Sequence, residues 1–512
     1  MNFFLALIPI LVILVLMVKF RWSAARAGAG GYLSALVIAL AFFGANPKLL
    51  AYAHTKAFLL TIDVLFIIWS AFLLYRVADE AGAIAAIGKA LPHLTADKGM
   101  QALVIGWAFA SFLQGVGGFG VPVAVIAPIL VGLGFPPLSA VVIPAVGHSW
   151  GVTFGSLGSS FQALLSATGL SQEALGPMSA LFLGVSALAI GVMVSHAAGG
   201  WVTVRRLLLP GFLIGLVMAS VQFATVLAGF WNVSAFLGGA AGLLIAFPLA
   251  RRYRGDQPND RTKLDSRGLL IALSAYVILI VITFALELIP GLKDSLSQTA
   301  ISMQFPEIQT SLGYLTPAGA GRKIPIFSHA GAVLTYAAVL AYLIYRWEGL
   351  FKPGSTLRIV NGLFKGVLSS SVSIAAMVAM SVTMQHAGMT DTLAQGLAQG
   401  IGWAFPFMSP WIGALGAFMT GSNTNSNVVF AALQLRTSEL LGYSAAVILA
   451  AQTAGGALGS VIAPTKVVVG ASTAGMQGRE GEIMQKMLVY IGLLLLLISI
   501  LAVLGVLLVG GN

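Results

Sequence analysis

Residues 421–427, with the sequence GSNTNSN, form a polar and flexible stretch between long apolar segments of this 512-residue chain. Unpaired amide groups and open backbone each cost several kcal/mol in hydrocarbon, so this stretch cannot face lipid. It must be buried inside protein or line a cavity that holds a solute. In a chain that crosses a membrane, such a stretch is typical of a functional site.

Composition assigns the chain to the bilayer. Hydrophobic residues make up 58% of the sequence and charged residues 8%, whereas soluble domains carry roughly a quarter charged residues. Successive apolar runs of about 17 to 25 residues are each long enough to cross ~30 Å of hydrocarbon. We therefore predict an all-α polytopic membrane protein with about 12 to 14 membrane segments. The first run, 3–20, has no small-residue cleavage site and is predicted to be a retained span.

The net charge of +11 has a distribution that favours membrane topology over nucleic-acid binding. Basic residues concentrate in a few loops, namely 19–26, 76–98, 205–206, 251–267, 346–365 and 479–486. Such clustering follows the positive-inside rule. It predicts that both termini lie outside the cytoplasm, and that a cytoplasmic basic linker at 251–267 joins the halves 1–250 and 268–512. The sequence holds no cysteine, and we expect no metal site, cofactor or nucleic-acid partner.

Topology indicates that the first half contains a re-entrant hairpin. Lys98 and Arg205 both lie on the predicted cytoplasmic side, and the apolar helix 178–196 crosses once before Arg205. Residues 100–177 must therefore cross the membrane an odd number of times. This parity is obtained if the segment 100–134 enters the membrane from the cytoplasm and turns back, with its tip at residues 114–120. The segment 138–165 then crosses as a helix broken near residues 147–158.

The second half gives the same order from the opposite side. A hairpin at 397–435 has its tip at 421–427, and a broken helix follows at 443–475, interrupted at 455–456 or at 464–465. The two halves are thus predicted to be inverted-topology repeats, a common architecture of secondary transporters.

Several segments near these tips and breaks are similar to the lactate permease family. They are GGFGVP at 117–122, PILVGLGFPP at 128–137, SWGVTFG at 149–155, GAFMTGSNT at 416–424 and GREGEI at 478–483. The resemblance is dense over roughly residues 100–165 and 410–490. It implies a proton-coupled importer of L-lactate, and often of glycolate, in a bacterial inner membrane.

A small carboxylate is bound well by helix N-termini, whose N–H groups carry partial positive charge. Two hairpin tips that each open into a helix would direct such N-termini at the membrane midplane. The predicted substrate-binding residues are Gln114, Gly118, Phe119, Gly120, His148, Ser149, Ser422, Asn423, Thr424, Asn425, Gln452 and Lys466. Alternatives remain open, because the glycines also suit helix packing, the polar tip residues suit helix capping, and the glutamines suit contacts between helices.

Ionisable residues at membrane depth are candidates for proton coupling. His148, in the predicted helix break, and Asp63, within an apolar helix, are the two that we select. His148 is otherwise a structural histidine, and Asp63 is otherwise the partner of a buried cation. Lys466 either faces the carboxylate or extends to the cytoplasmic surface. Arg436 and Glu439 are predicted to form an ion pair at the end of the second hairpin.

The sequence lacks the phosphate-binding loop of ATPases and the His-Glu-x-x-His pattern of zinc hydrolases, so we predict a transporter and not an enzyme. The predicted function is import of L-lactate, or of another short 2-hydroxymonocarboxylate such as glycolate, by proton symport. A sodium-coupled carboxylate or dicarboxylate transporter is the main alternative, followed by a passive anion channel. The expected partners are the monocarboxylate, protons and the lipid bilayer, and the oligomeric state is left open.

Overall fold

A computed structural model of the chain describes residues 2–20, 22–90, 95–118, 120–253, 266–320 and 323–509. Phe119, a predicted site residue, lies outside the described residues. So do residues 254–265, which make up most of the predicted basic linker.

The first half consists of helices, most of them long and apolar. They are α1 (Asn2–Val18), α2 (Ala24–Phe42), α3 (Pro47–Glu80), α4 (Ala83–Ala90), α5 (Lys98–Gln101), α6 (Ala110–Val116), α7 (Val121–Gly132), α8 (Pro137–His148), α9 (Gly155–Thr168), α10 (Gln172–Leu227) and α11 (Ser234–Arg251). A π-helical segment, Ala102–Phe109, joins α5 to α6, so that 98–116 is one continuous rod. Helix α3 begins where it does because the Asn46 side chain accepts a hydrogen bond from the Leu49 N–H (2.9 Å) and Pro47 occupies the first helical position.

The second half is also helical, apart from six two-residue strands. Its helices are α12 (Ser266–Leu288), α13 (Leu292–Ser297), α14 (Ala330–Trp347), α15 (Ser355–His386), α16 (Met389–Ile401), α17 (Phe405–Thr420), α18 (Asn423–Leu441), α19 (Ala445–Val461), α20 (Pro464–Thr473) and α21 (Glu480–Val509). The strands are β1 (Ala300–Ile301), β2 (Gln304–Phe305), β3 (Ile308–Gln309), β4 (Leu315–Thr316), β5 (Gly319–Ala320) and β6 (Ile324–Pro325).

The strands form a single folded-back ribbon in the loop between α13 and α14. Strand β1 pairs with β6, β2 with β5 and β3 with β4, all antiparallel. The tip of the ribbon touches the loop before α3, where the Asn46 side chain donates to the Gln309 carbonyl (3.2 Å). We refer to residues 300–325 as the β-ribbon. It is the one departure from the predicted all-α class within the described part of the chain.

The described residues contain nine helices long and apolar enough to cross a membrane, or ten if the bent pair α8–α9 is one span. Helix α10 has 56 residues and would be about 84 Å long if straight. It breaks at Gly199 and Gly200, whose backbone is not helical, so it supplies two crossings. Shorter apolar helices at Asn2–Met17 and Ile271–Leu286 add to these spans. The chain is a polytopic helical membrane protein, as predicted.

Two hairpins with short turns occupy corresponding places in the two halves. In the first, the rod 98–116 turns back into α7, and Leu130 of α7 reaches Gly106 of the rod. In the second, α17 turns at Gly421 into α18. The predicted start of the second hairpin at residue 397 is wrong. Helix α16 is a separate helix that ends before Gly402, and the hairpin begins at Phe405.

Each hairpin is followed by a broken helix. The pair α8 and α9 bends by 49° between its two parts. Helices α19 and α20 are separated at Ile462 and Ala463, directly before Pro464, because proline has no N–H to continue the ladder. The alternative break at residues 455–456 is wrong: Gly455 lies inside α19, where it lets the backbone of α17 approach at Pro410.

Candidate functional site

The second hairpin tip opens α18 with a helix N-terminus. The hydroxyl of Ser422 caps the helix by accepting a hydrogen bond from the Asn425 N–H (3.3 Å). The N–H groups of Asn423 and Thr424 belong to the first turn, where helical N–H groups have no partner within the helix. Both side chains are buried, at 2% and 5% exposure. The tip therefore presents a buried N-terminus suited to a negative charge.

Asn423 connects this tip to both broken helices. Its side-chain nitrogen donates to the hydroxyl of Thr153 (3.1 Å), which lies at the break between α8 and α9. The same nitrogen lies 3.3 Å from the hydroxyl of Thr453 on α19. The Thr153 hydroxyl in turn lies 3.1 Å from the Thr453 carbonyl oxygen, to which it donates.

A second set of contacts involves Thr424, the next residue, and Asn427, one turn further along α18. The Thr424 and Ser160 hydroxyls are 3.0 Å apart, and the Asn427 side chain donates to the Ser160 carbonyl (2.9 Å) and to the Thr453 hydroxyl (2.9 Å). These contacts and those of Asn423 define the polar centre. Its members are Thr153, Ser160, Asn423, Thr424, Asn427 and Thr453.

Asn425 points away from the polar centre toward a neighbouring helix. Its side-chain nitrogen donates to the hydroxyl of Ser373 on α15 (2.9 Å). The tip therefore also contacts α15, a long helix of the second half. Ser422 is similarly occupied by capping. Of the four predicted residues at this tip, Asn423 and Thr424 thus belong to the polar centre, whereas Ser422 and Asn425 support it.

The break in the first broken helix has an unusual backbone. Ser156, Leu157 and Gly158 all have left-handed conformations, with φ of 47°, 54° and 81°. Serine and leucine rarely adopt positive φ, and such strain is concentrated at functional sites. The reversal ends the first arm near Phe154 and starts a new helix N-terminus directed at the polar centre through Ser160.

The first hairpin tip packs on this reversal. A Cβ atom at Gly118 would lie 1.7 Å from the Ser156 hydroxyl oxygen, and the φ of Gly118 is +55°. Only glycine both adopts this positive φ without strain and leaves room for the Ser156 hydroxyl. Gln114 lies beside Gly118, with its side-chain nitrogen 3.5 Å from that same Cβ position, and its Oε1 is buried without a partner in the described part. Gly118 and Gln114 are therefore brought against the reversal at Ser156.

Both tips border the start of α20. The Cβ position of Gly120 lies 4.0 Å from Cγ of Lys466, and that of Gly421 lies 2.7 Å from the Thr465 hydroxyl. Because Thr465 and Lys466 are consecutive, the tips are within side-chain reach of one another. The Lys466 ammonium donates to the Ser460 hydroxyl (3.1 Å), and it has no carboxylate partner among the described residues. It supplies positive charge beside the two tips.

Three predicted site residues have mainly structural contacts. His148 ends α8 and is fully buried, with Nδ1 2.6 Å from the Pro144 carbonyl and Nε2 without a partner in the described part. Ser149 donates to the Val146 carbonyl (2.7 Å). Gln452 lies between the arms of the second hairpin: it accepts a hydrogen bond from Gln434 and its nitrogen reaches the Ser426 hydroxyl (3.2 Å).

Asp63 is separate from the polar centre and forms a buried cluster of its own. One carboxylate oxygen accepts from Gln162 and from Ser166 of α9 (2.7 Å each). The other lies 3.0 Å from Nε2 of His329, the N-cap residue of α14. Nδ1 of His329 accepts from the Gly331 N–H (3.1 Å), so the ring proton is on Nε2 and is donated to Asp63. Asp63 is 1% exposed and His329 6%.

A family model described as L-lactate permease matches residues 2–509. The chain belongs to the L-lactate permease family. It is 26% identical over 507 residues to the L-lactate permease of Salmonella typhimurium, with 94% of this chain and 91% of that protein covered. It is 28% identical over 525 residues to the glycolate permease GlcA of Escherichia coli, with 93% and 91% covered.

Among solved structures, the chain resembles the YdaH transporter of Alcanivorax borkumensis, with a TM-score of 0.50 and 17% identity over 91% of each chain. At that identity the likeness shows the fold alone. As a member of the L-lactate permease family with many apolar helices, the chain is a multi-pass bacterial membrane transporter and not an enzyme.

The sequence reasoning missed part of the permease's polar network. Thr153, Ser160, Thr453 and Ser373 are small hydroxyl residues within apolar segments, which are common there and give no signal alone. His329 had a signal: it directly precedes an apolar helix, at the N-cap position. The ion pair of Arg436 with Glu439 (3.0 Å) is confirmed, and Arg436 also pairs with Asp391 (2.5 Å).

Proposed function

We propose that this permease imports a short 2-hydroxymonocarboxylate, L-lactate or glycolate, by proton symport. The observation that carries the proposal is the polar centre, where a hairpin tip from one half meets the broken helices of both halves. Helix N-termini and hydroxyl and amide groups converge there inside an otherwise apolar protein. The relatives described as L-lactate and glycolate permeases support this substrate class.

The groups at the centre match both ends of such a substrate. A carboxylate would accept hydrogen bonds from the first-turn N–H groups of Asn423 and Thr424, with Lys466 supplying charge nearby. The 2-hydroxyl would donate to an amide oxygen. The Oδ1 atoms of Asn423 and Asn427 are buried and have no partner among the described residues, so they are available as acceptors.

The Asp63–His329 pair is the proposed proton carrier in place of His148. Asp63 belongs to α3 and His329 to α14, while Gln162 and Ser166 belong to α9, the helix that carries Ser160. Protonation of Asp63 would remove the charge from these charge-assisted bonds and weaken the attachment of α9 to α3. A proton at Asp63 would thereby favour movement of the element that contacts the substrate, which is the requirement for coupling.

In the membrane, we propose that the two hairpin-and-broken-helix units are inverted repeats that enter from opposite sides, with both termini periplasmic. The β-ribbon would then lie on the periplasmic face. Alternating access would arise from movement of these units against α3, α14 and α15. The comparisons lend no support to the sodium-coupled alternative.

Uptake of labelled L-lactate into proteoliposomes under an imposed pH gradient tests the proposal. We expect accumulation above the external concentration that collapses when a protonophore is added. Replacement of sodium by potassium should leave uptake unchanged. Gradient-independent equilibration in a protein shown to be folded would refute symport, and loss of uptake in potassium would establish sodium coupling.

A further inference from the structure

A cavity of about 240 Å³ opens beside the tip of the β-ribbon, away from the polar centre. At roughly 30 Å³ per water molecule, it has room for a small hydrated solute. Its walls include Lys56 of α3, Thr168 at the end of α9, Tyr314 of the β-ribbon, His386 at the end of α15 and Arg436 of α18. We call it the ribbon cavity.

Lys56 is the available cation in this cavity. The structure gives its ammonium no ion pair and no hydrogen bond within the described part of the chain. Arg436, in contrast, is engaged by the carboxylates of Asp391 (2.5 Å) and Glu439 (3.0 Å). Both carboxylates of the cavity thus pair with Arg436, and neither pairs with Lys56 in the described part of the chain.

Neutral donors accompany the lysine. Gln385 lines the same cavity, and so does Tyr314, where burial and then the Asp391 charge raise the pKa of the hydroxyl above its ordinary value. The Tyr314 hydroxyl therefore keeps its proton and can donate. A free ammonium beside neutral donors is a suitable environment for a carboxylate.

The ribbon cavity adjoins a mainly apolar constriction. A narrower space of about 20 Å³ shares the walls Ala167 and Gln385 with it. Val428, one turn after Thr424 on α18, is one of the walls of this space. The other apolar walls are Leu60, Val64, Ala163, Val378 and Val382, and the hydroxyl residues Ser166 and Ser381 complete the lining. This space is too small for a carboxylic acid, so a solute in the ribbon cavity would wait outside it.

We propose that the ribbon cavity is a capture site for a small monocarboxylate, which the Lys56 ammonium holds before the solute passes the apolar constriction to the polar centre. The site rests on the proposed function for its ligand class, but it is distinct from the binding site at the hairpin tips. The positive charge of the capture site would raise the local concentration of the anion at the entrance of the transport pathway. Loss of the charge should therefore raise KM and leave kcat nearly unchanged.

The chain has no cysteine, so a single introduced cysteine reacts without background. We would label the Lys56→Cys protein in detergent, either with an aminoethyl methanethiosulfonate, which restores a positive charge, or with a sulfonatoethyl methanethiosulfonate, which adds a negative one. Lys48→Cys is the matched control, because Lys48 is an exposed lysine about two turns earlier on α3 and does not line the ribbon cavity.

After reconstitution, unlabelled Lys56→Cys should show a KM for L-lactate about tenfold higher, the loss expected for a charged hydrogen bond. The aminoethyl label should restore KM to within about threefold of the wild type, and the sulfonatoethyl label should not. The Lys48→Cys protein should behave as the wild type in all three forms. An unchanged KM in Lys56→Cys, or equal effects of the two labels, would overturn the capture site.

A binding readout separates this proposal from the proposed function. In a protein that keeps Lys56, a cysteine is introduced at Thr168, another wall of the ribbon cavity. Millimolar L-lactate should slow its reaction with the sulfonatoethyl reagent at least threefold, whereas the neutral lactamide should not. Protection without any gradient-driven uptake would keep the capture site and refute symport. Uptake without protection by L-lactate would refute the capture site and keep symport.

Discussion

Asn423 and Thr153 are 270 residues apart in the sequence, yet the Asn423 side-chain nitrogen donates a 3.1 Å hydrogen bond to the Thr153 hydroxyl. Thr153 belongs to the first broken helix, and Asn423 is the first residue of α18. The Thr453 hydroxyl on the second broken helix lies within 3.3 Å of the same nitrogen. One amide group therefore links three elements from both halves of the permease.

Replacement of Asn423 by Ala should lower the initial rate of L-lactate uptake at least about tenfold. The change removes a donor to two buried hydroxyls, and an unsatisfied buried group costs about 1–3 kcal/mol. The measurement is uptake per amount of monodisperse reconstituted protein. Thr437→Val is the matched control on the same helix, because the Thr437 hydroxyl bonds to the Leu433 carbonyl of its own helix (2.8 Å). Equal rates in the two variants would contradict a role for the polar centre.

Replacement of Gly118 by Ala should destabilise the folded protein and abolish uptake. A Cβ at this position collides with the Ser156 hydroxyl, and the left-handed backbone alone costs about 1–3 kcal/mol for a residue other than glycine. The thermal unfolding midpoint and the uptake rate are the measurements.

Gly132→Ala is the control for Gly118→Ala. Gly132 is helical and has nothing within 4 Å of its Cβ position, so alanine should be neutral or stabilising by up to about 1 kcal/mol. The second-site change Ser156→Gly should recover part of the stability of Gly118→Ala by removing the collision. A Gly118→Ala protein as stable as Gly132→Ala would refute the close packing of the first tip.

Replacement of Asp63 by Asn should abolish accumulation driven by a pH gradient while preserving exchange of labelled for unlabelled L-lactate. The amide keeps the shape of the protonated carboxylic acid but cannot release a proton. Exchange of one L-lactate for another, which requires no binding or release of a proton, should therefore continue. Counterflow and gradient-driven uptake, measured on the same vesicles, give the two readouts.

Glu482→Gln makes the same chemical change in an exposed pair with Arg479 (2.7 Å) and should alter neither readout. If Asp63→Asn accumulates L-lactate like the wild type, another group carries the proton.

Replacement of Gln452 by Leu should lower thermal stability and leave KM unchanged. Gln452 accepts a hydrogen bond from Gln434, and its loss leaves that buried donor without one partner, at a cost of about 1–3 kcal/mol. The double variant Gln434→Leu/Gln452→Leu should be less destabilised than the two single effects summed. A large rise in KM for Gln452→Leu would show that this residue contacts the substrate.

The sequence indicated where the helices turn or break, because polar residues and proline are conspicuous in apolar segments. The GSNTNSN stretch became the second tip, and Pro464 marked the second break. Topological parity identified the first hairpin before any contact was known. Helix ends were less accurate, as the separate helix α16 shows, since an amphipathic helix next to a hairpin has no distinct apolar boundary.

The hydrogen-bonded partners within the site could not be predicted from the sequence. Asp63 was selected as a lone carboxylate, but its partner His329 follows it by 266 residues and lies at the end of a loop of low hydropathy. The left-handed turn at Ser156 and Leu157 was also unforeseen, because both residue types normally avoid that conformation. Such features depend on packing between distant elements and have no local signature.

The hydrogen bonds of the polar centre that connect the two halves join residues 264 to 300 positions apart, on opposite sides of the linker 251–267. Neither half of the gene therefore encodes a complete set of partners. If the polypeptide were divided at the linker, each fragment would carry orphaned amides and hydroxyls into the bilayer until it met the other. The polar centre can therefore form only when both halves have inserted into the membrane and packed against each other.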